Sequence, residues 1–94
     1  MPEALKVLGL AYRARKTLLG EEVLNRIGKV KLLFLASDIS ESSRKRFEKK
    51  CRYYGIEHID VFSGEELSEA LGKNNVKAVG ITDAGLSETI RKKL

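Results

Sequence analysis

The chain has 94 residues, with 18 Lys/Arg against 13 Asp/Glu, one His, one Cys and a formal charge of +5. That length fits one domain with a single modest core. One cysteine excludes an internal disulfide framework, and no apolar run approaches the ~18 residues of a membrane span.

The opening MPEALKVLGL lacks the basic region, long apolar stretch and cleavage site of a secretion signal, so a cytoplasmic protein, monomeric or part of a larger assembly, is expected. PEALKVLGLAYRA reads as a helix. Pro2 suits its first position and Glu3 the positive end of its dipole. Ala4, Leu5, Leu8 and Ala11 or Tyr12 recur at helical spacing. KTLL is short and extended. A short second helix starts near Gly20, turns Val23, Leu24 and Ile27 inward and stops at Gly28. VKLLFLA is almost wholly apolar, as a strand covered on both faces should be. The third helix has Ser40 as N-cap, Phe47, Cys51 and Tyr54 as its buried stripe and Gly55 as its stop. IEHIDVF is a strand. SGEELSEALG is a fourth helix, with a capping box from Ser63 and Glu66 and an end at Gly72. VKAVGIT is a further strand, and DAGLSETIRKKL is a closing helix capped by Asp83. The alternation predicts an α/β fold, with helices on both faces of a central sheet, in one domain spanning 1–94.

Charge is distributed unevenly. The first 55 residues hold thirteen Lys/Arg and six Asp/Glu, and the remainder five and seven. A small protein that turns one face to a polyanion has this asymmetry. The third helix carries Arg44, Lys45, Arg46, Lys49, Lys50 and Arg52, but they scatter around its polar arc as a solvated face would. Two strands end alike, in Ser37-Asp38 and Thr82-Asp83. Both pairs are expected at the same type of sheet edge, either capping helices or bordering an anion site where helix N-termini converge. A Mg²⁺ site on the two aspartates would want a further fixed ligand, and none is visible. His58 stands alone and Cys51 lies on an apolar stripe, so neither points to catalysis. Glu21 and Glu22 suit the first turn of a helix. No catalytic, metal or cofactor site is expected.

The strings LGLAYRARK, GEEVL, GKVKLLFLASDISESSRKRF, CRYYGIEH, ELSEALGK and VKAVGITDAGL, in this order over nearly the whole chain, resemble the bacterial YlxQ group. That group belongs to the superfamily of ribosomal proteins L-seven-Ae and L-thirty-e. The resemblance implies a three-layer α/β/α sandwich around a mixed sheet of about four strands. It also implies a non-enzymatic, ribosomal-protein-like function: binding and stabilising kink-turn RNA. The RNA face so implied joins Thr17–Arg26 to the loop at Thr82–Leu86, with Ser37 and Asp38 close by. On the archaeal motif Gly-x-Asn-Glu-x-x-Lys, Gly20 falls at the Gly, Glu22 at the Asn, Val23 at the Glu and Arg26 at the Lys. Gly-Glu-Glu fits the bacterial group through Glu21 and Glu22. Leu19 and a short second helix depart from it.

On that face Gly20 would let a backbone N–H approach the RNA closely. Glu22 would accept from a guanine N–H, and Arg15, Lys16 and Arg26 would offset its charge. Thr17, Thr82 and Asp83 border the same face, and Ala84-Gly85-Leu86 would pack against a flipped base. Gly20→Val is expected to impair RNA binding with the fold intact, and Lys16→Ala to flatten the salt dependence by about one unit. Two other readings stay open at the level of residues: a protein-interaction adaptor that kept the fold without RNA specificity, and a small phosphate- or Mg²⁺-binding domain using Asp38 and Asp83.

Overall fold

The computed structural model describes all residues, Met1–Leu94. In chain order the elements are α1 (Glu3–Arg13), β1 (Thr17–Leu19), α2 (Glu21–Asn25), a 3-10 turn (Ile27–Lys29), β2 (Leu32–Leu35), α3 (Glu41–Tyr54), β3 (His58–Ile59), α4 (Gly64–Leu71), β4 (Ala78–Ile81) and α5 (Ala84–Lys92). The four strands form one mixed sheet in the order β1-β4-β2-β3. β4 runs antiparallel to both β1 and β2, and β3 is parallel to β2. No helix is long and apolar enough to cross a membrane.

Strand alternation sorts the core into two layers. Leu32 and Phe34 of β2, with Val79 and Ile81 of β4, face α1, α4 and α5. Leu33, Leu35 and Ala78 face Val23, Ile27, Phe47 and Cys51 of the other layer. Both central strands are buried throughout, which is why LLFL and AVGI carry no polar alternation. The α/β/α sandwich is therefore as expected.

Several local signals act as the sequence suggests. Ser40 accepts from the Ser43 N–H (3.3 Å), and the Ser63–Glu66 capping box is complete in both directions. Gly55 and Gly72 close α3 and α4 in the left-handed conformation. Other details differ. Pro2 is the N-cap of α1 rather than its first helical residue. α2 is a single turn and a half, and Ile27 is buried by the 3-10 turn that follows it. Tyr54 does not join the buried stripe: it is 48% exposed. The 14 residues of α3 span about 21 Å, whereas the four of β2 span about 13 Å, so the last turn of the helix overhangs the sheet. Cys51 is buried, and loss of hydration together with nearby Glu48 pushes its thiol up to about 11. It is an inert packing group.

Gly9 sets the approach of α1 to α4. A Cβ there would lie 2.7 Å from the Ala70 carbonyl oxygen, a backbone atom that cannot step aside. On a free helix, Gly→Ala would gain about 1 kcal/mol. Here overpacking, at about 1–3 kcal/mol, opposes and exceeds that gain. Gly9→Ala should therefore destabilise the protein by roughly 1 kcal/mol in urea unfolding, and an unfolding midpoint above that of the parent would refute the packing assignment.

Candidate nucleic-acid interface

The antiparallel direction of β4 divides the expected site in two. Along β1 and β4, Thr17 is level with Ile81 and Leu19 with Val79, and the Gly20 N–H donates to the Ala78 carbonyl (3.1 Å). Gly20 thus lies at the start of β4, beside Lys77. The Ala36 N–H donates to the Lys77 carbonyl (2.8 Å), which brings Ser37 and Asp38 to this same edge. Thr82 emerges at the other end of β4, where its N–H donates to the Lys16 carbonyl (2.9 Å) and the Lys31 N–H to the Ile81 carbonyl (2.7 Å). Four residue steps, about 13 Å, separate the two ends.

The expectation that Thr82–Leu86 stands beside Gly20 is therefore corrected. So is the expectation that Ser37-Asp38 and Thr82-Asp83 share an edge, since the strands they follow point in opposite directions. Asp38 and Asp83 cannot hold one cation between them across the length of the sheet. The segment Ala84-Gly85-Leu86 is not an apolar loop tip either. Asp83 accepts from the Leu86 N–H (2.8 Å), Ala84 opens α5, and Leu86 packs against the core.

At the Gly20 edge the backbone conformation is unusual. Gly20 has φ 56° and ψ −130°, and nothing stands within 4 Å of where its Cβ would be. It is an open position whose backbone suits glycine alone. Glu21 next to it is gripped by Arg46, which donates two hydrogen bonds (2.9 and 3.1 Å). Glu22 is paired with Arg26 at 3.4 Å. Neither carboxylate stands as an uncompensated charge in this basic segment. Both pairs are well exposed, so each contributes no more than about 1 kcal/mol and exchanges partners readily. Asp38 accepts from the Gly64 N–H (2.8 Å) and from Lys77 Nζ (3.2 Å). These contacts, the backbone one first, hold its carboxyl below the ordinary range. It ties β2's end to the start of α4, and that tie is present above the usual carboxylate range and lost as pH falls below it. Ser37 is exposed and uses its backbone, donating to Phe62 and accepting from Arg44.

The opposite edge is a cationic cleft of about 490 Å³ lined by Arg15, Arg26, Lys29 and Lys31, with Thr17 and Thr82 between them. Lys16 lies alongside through its backbone bond to Thr82. Arg26 lines this cleft while its Nε pairs with Glu22 at 3.4 Å. Lys29 and Lys31 escaped the sequence reading, although their period of two about buried Val30 was a signal that both face outward. Arg15 has φ 62°, in the left-handed region. It closes α1, its N–H donating to the Tyr12 carbonyl while the Lys16 N–H donates to that of Ala11, a position usually given to glycine.

The cations of α3 do not act alike. Arg44 has a side chain only 18% exposed, and it bonds Asp60 (2.9 Å) and the carbonyls of Ala36 and Ser37. It is a structural bolt. Arg46 belongs to Glu21, and Lys49, Lys50 and Arg52 take part in no ion pair.

A four-stranded mixed sheet layered between helices, with a glycine-opened edge at one end of β4 and a cationic cleft at the other, defines a small α/β/α sandwich with a basic face. The chain belongs to the ribosomal protein L7Ae/L30e/S12e/Gadd45 family, whose model matches residues 3–91. It is 34% identical over 93 residues to the RNA-binding protein YlxQ of Enterococcus faecium, covering 96% of this chain and 89% of that one. It is likewise 34% identical over 91 residues to the RNA-binding protein YlxQ of Bacillus subtilis (strain 168), covering 94% and 91%. A Bacillus halodurans C structure, described as a protein with unknown function, superposes with TM-score 0.91 at 35% identity, over 98% of this chain and 96% of that one. The Giardia lamblia 15.5kD RNA binding protein shares the fold, with TM-score 0.79 at 17% identity, over 94% and 78%.

Proposed function

We propose that this chain is a non-enzymatic RNA-binding protein that recognises a kink-turn in structured RNA, ribosomal RNA included, and holds it bent. The observation that carries the reading is the near-full-length similarity to two relatives named as RNA-binding proteins. The two-edged charge arrangement supports it. Gly20, Glu21, Glu22 and Ser37, with Lys77 and Asp38 behind them, form the edge that meets the kink itself. Glu22 exchanges Arg26 for a guanine N–H at little cost, because the pair it leaves is exposed. Arg15, Lys16, Thr17, Arg26 and Thr82, joined by Lys29 and Lys31, form the edge that meets phosphates of one helical arm. A duplex covers the ~13 Å between the edges within half a turn. Asp83 and Ala84-Gly85-Leu86 support this second edge by starting α5 there, rather than by touching a base. Phosphate contacts position the RNA and base contacts select it. Because the phosphate edge accepts a helical arm of either form while the Gly20 edge fits the bent backbone alone, binding shifts the population toward the bend.

The test is a titration of a kink-turn RNA against an unkinked duplex of the same composition, with end-to-end fluorescence transfer reporting the bend. The kink-turn should bind at least 100-fold more tightly and shorten on binding. Equal affinities would leave only generic attraction between a +5 protein and a polyanion.

A further inference from the structure

Beside the Gly20 edge, α2 and α3 enclose a groove of about 970 Å³. Its floor is apolar at Leu24, and its walls carry Lys49, Lys50, Arg52, Tyr53 and Tyr54. Tyr53 is 82% exposed and belongs to neither core cluster. Its only aromatic neighbour is Tyr54, edge-on, with ring centroids 4.9 Å apart and planes at 74°. Lys50 Nζ lies 5.9 Å from the centre of the Tyr54 ring. The one acid of the groove, Glu21, is already neutralised by Arg46, so three cations face the opening with no counter-charge.

From this we propose that the groove is a second RNA-contact surface that takes one or two unpaired nucleotides next to the structured element, a base stacking on Tyr53 and its phosphates on Lys49, Lys50 and Arg52. The inference rests on the RNA-binding reading above. Two features separate it from a protein-docking surface. Lysine is depleted at protein interfaces, whereas two of the three free cations here are lysines. The combination of exposed aromatic faces with a positively charged track is what sequence-tolerant single-strand binding requires. Tyr54 sets the angle of Tyr53, and Lys50 over the Tyr54 ring keeps a cation at the stacking platform. The groove is continuous with the kink edge, because Glu21 and Arg46 form the wall between them. A strand leaving the kink therefore enters it without crossing uncharged surface.

The experiment compares two kink-turn RNAs, one blunt and one carrying a four-nucleotide unpaired uridine tail, on the full chain, Tyr53→Ala, Tyr53→Phe and the triple variant Lys49→Gln/Lys50→Gln/Arg52→Gln. The tail should tighten binding to the parent by about tenfold or more. Tyr53→Ala should abolish that gain without touching blunt-RNA affinity, Tyr53→Phe should keep it, and the triple variant should flatten the salt dependence of the tail's contribution. Tyr53 packs on no core residue, so these variants fold. If the blunt RNA binds but the tail adds nothing, or its gain survives Tyr53→Ala, the groove assignment is overturned and the kink-turn reading stands. If neither RNA binds better than duplex, both fall together. In a parallel NMR titration, Tyr53 ring signals that move with a poly-glutamate peptide and not with tailed RNA would give the groove to a protein partner and overturn the proposal.

Discussion

Removing Arg15, Lys16, Lys29 and Lys31 together should weaken RNA binding by roughly 10³-fold at 0.1 M salt. Each phosphate contact to a duplex contributes about 0.9 to the slope of log affinity against log salt, so four contribute about 3.6. That slope should fall accordingly, for kinked and unkinked RNA alike, because phosphates carry no sequence information. The choice of substitution matters. Arg15 holds a left-handed backbone (φ 62°), so Arg15→Gly relieves strain, and Lys16→Gln, Lys29→Gln and Lys31→Gln leave the backbone bonds to Thr82 and Ile81 in place. The variant should be at least as stable as the parent, which removes unfolding as an explanation. A matched control neutralises Lys6, Lys45, Lys92 and Lys93, reaching the same net charge from other surfaces. An equal loss in both proteins would mean that total charge, not the cleft at Thr17 and Thr82, governs binding.

The layered fold and its caps were legible because they are encoded locally. A fully apolar LLFL can only be a strand between two helix layers, and Ser63 with Glu66 announces a helix start without help from the rest of the chain. Strand direction is not encoded that way. VKAVGIT reads the same whether it enters the sheet parallel or antiparallel, since burial on both faces erases the alternation that would constrain its partners. The reversed direction of β4 is what put Thr82 and Gly20 at opposite ends and split a site that looked continuous along the chain. The basic helix was opaque for a related reason. From spacing alone Arg44 and Lys49 are both polar-arc residues. Only the fold brings Asp60 and the Ala36 carbonyl to one, and the α2 wall of a groove, with Leu24, to the other. Tyr54 alone falls on the expected buried stripe and is exposed, because helical periodicity continues past the point where the sheet beneath it ends.

Gly20→Val carries the other large effect, and it should strain a fold that the sequence reading expects to stay intact. The space around the missing Cβ is empty, so no clash occurs within the protein. The penalty is conformational: φ 56° with ψ −130° lies where a β-branched residue is a genuine outlier. Strain of about 1–3 kcal/mol should follow, lowering the melting temperature by roughly 5–20 °C in a domain of this size. Loss of RNA binding by Gly20→Val would therefore be ambiguous between a blocked surface and a displaced α2. D-alanine at position 20 separates the two. For a D residue this φ and ψ are the mirror image of ordinary extended backbone, so the strain vanishes, while the methyl group, in place of the other Cα hydrogen, still adds bulk to the Gly20 backbone that RNA is proposed to approach. The chain is accessible to ligation between Lys50 and Cys51. With D-alanine, stability should stay within about 0.5 kcal/mol of the parent, the scale of a neutral surface change, and kink-turn affinity should fall at least tenfold. Unchanged affinity in a stably folded D-alanine protein would show that no RNA approaches this backbone, and the Gly20 edge would cease to be the recognition surface.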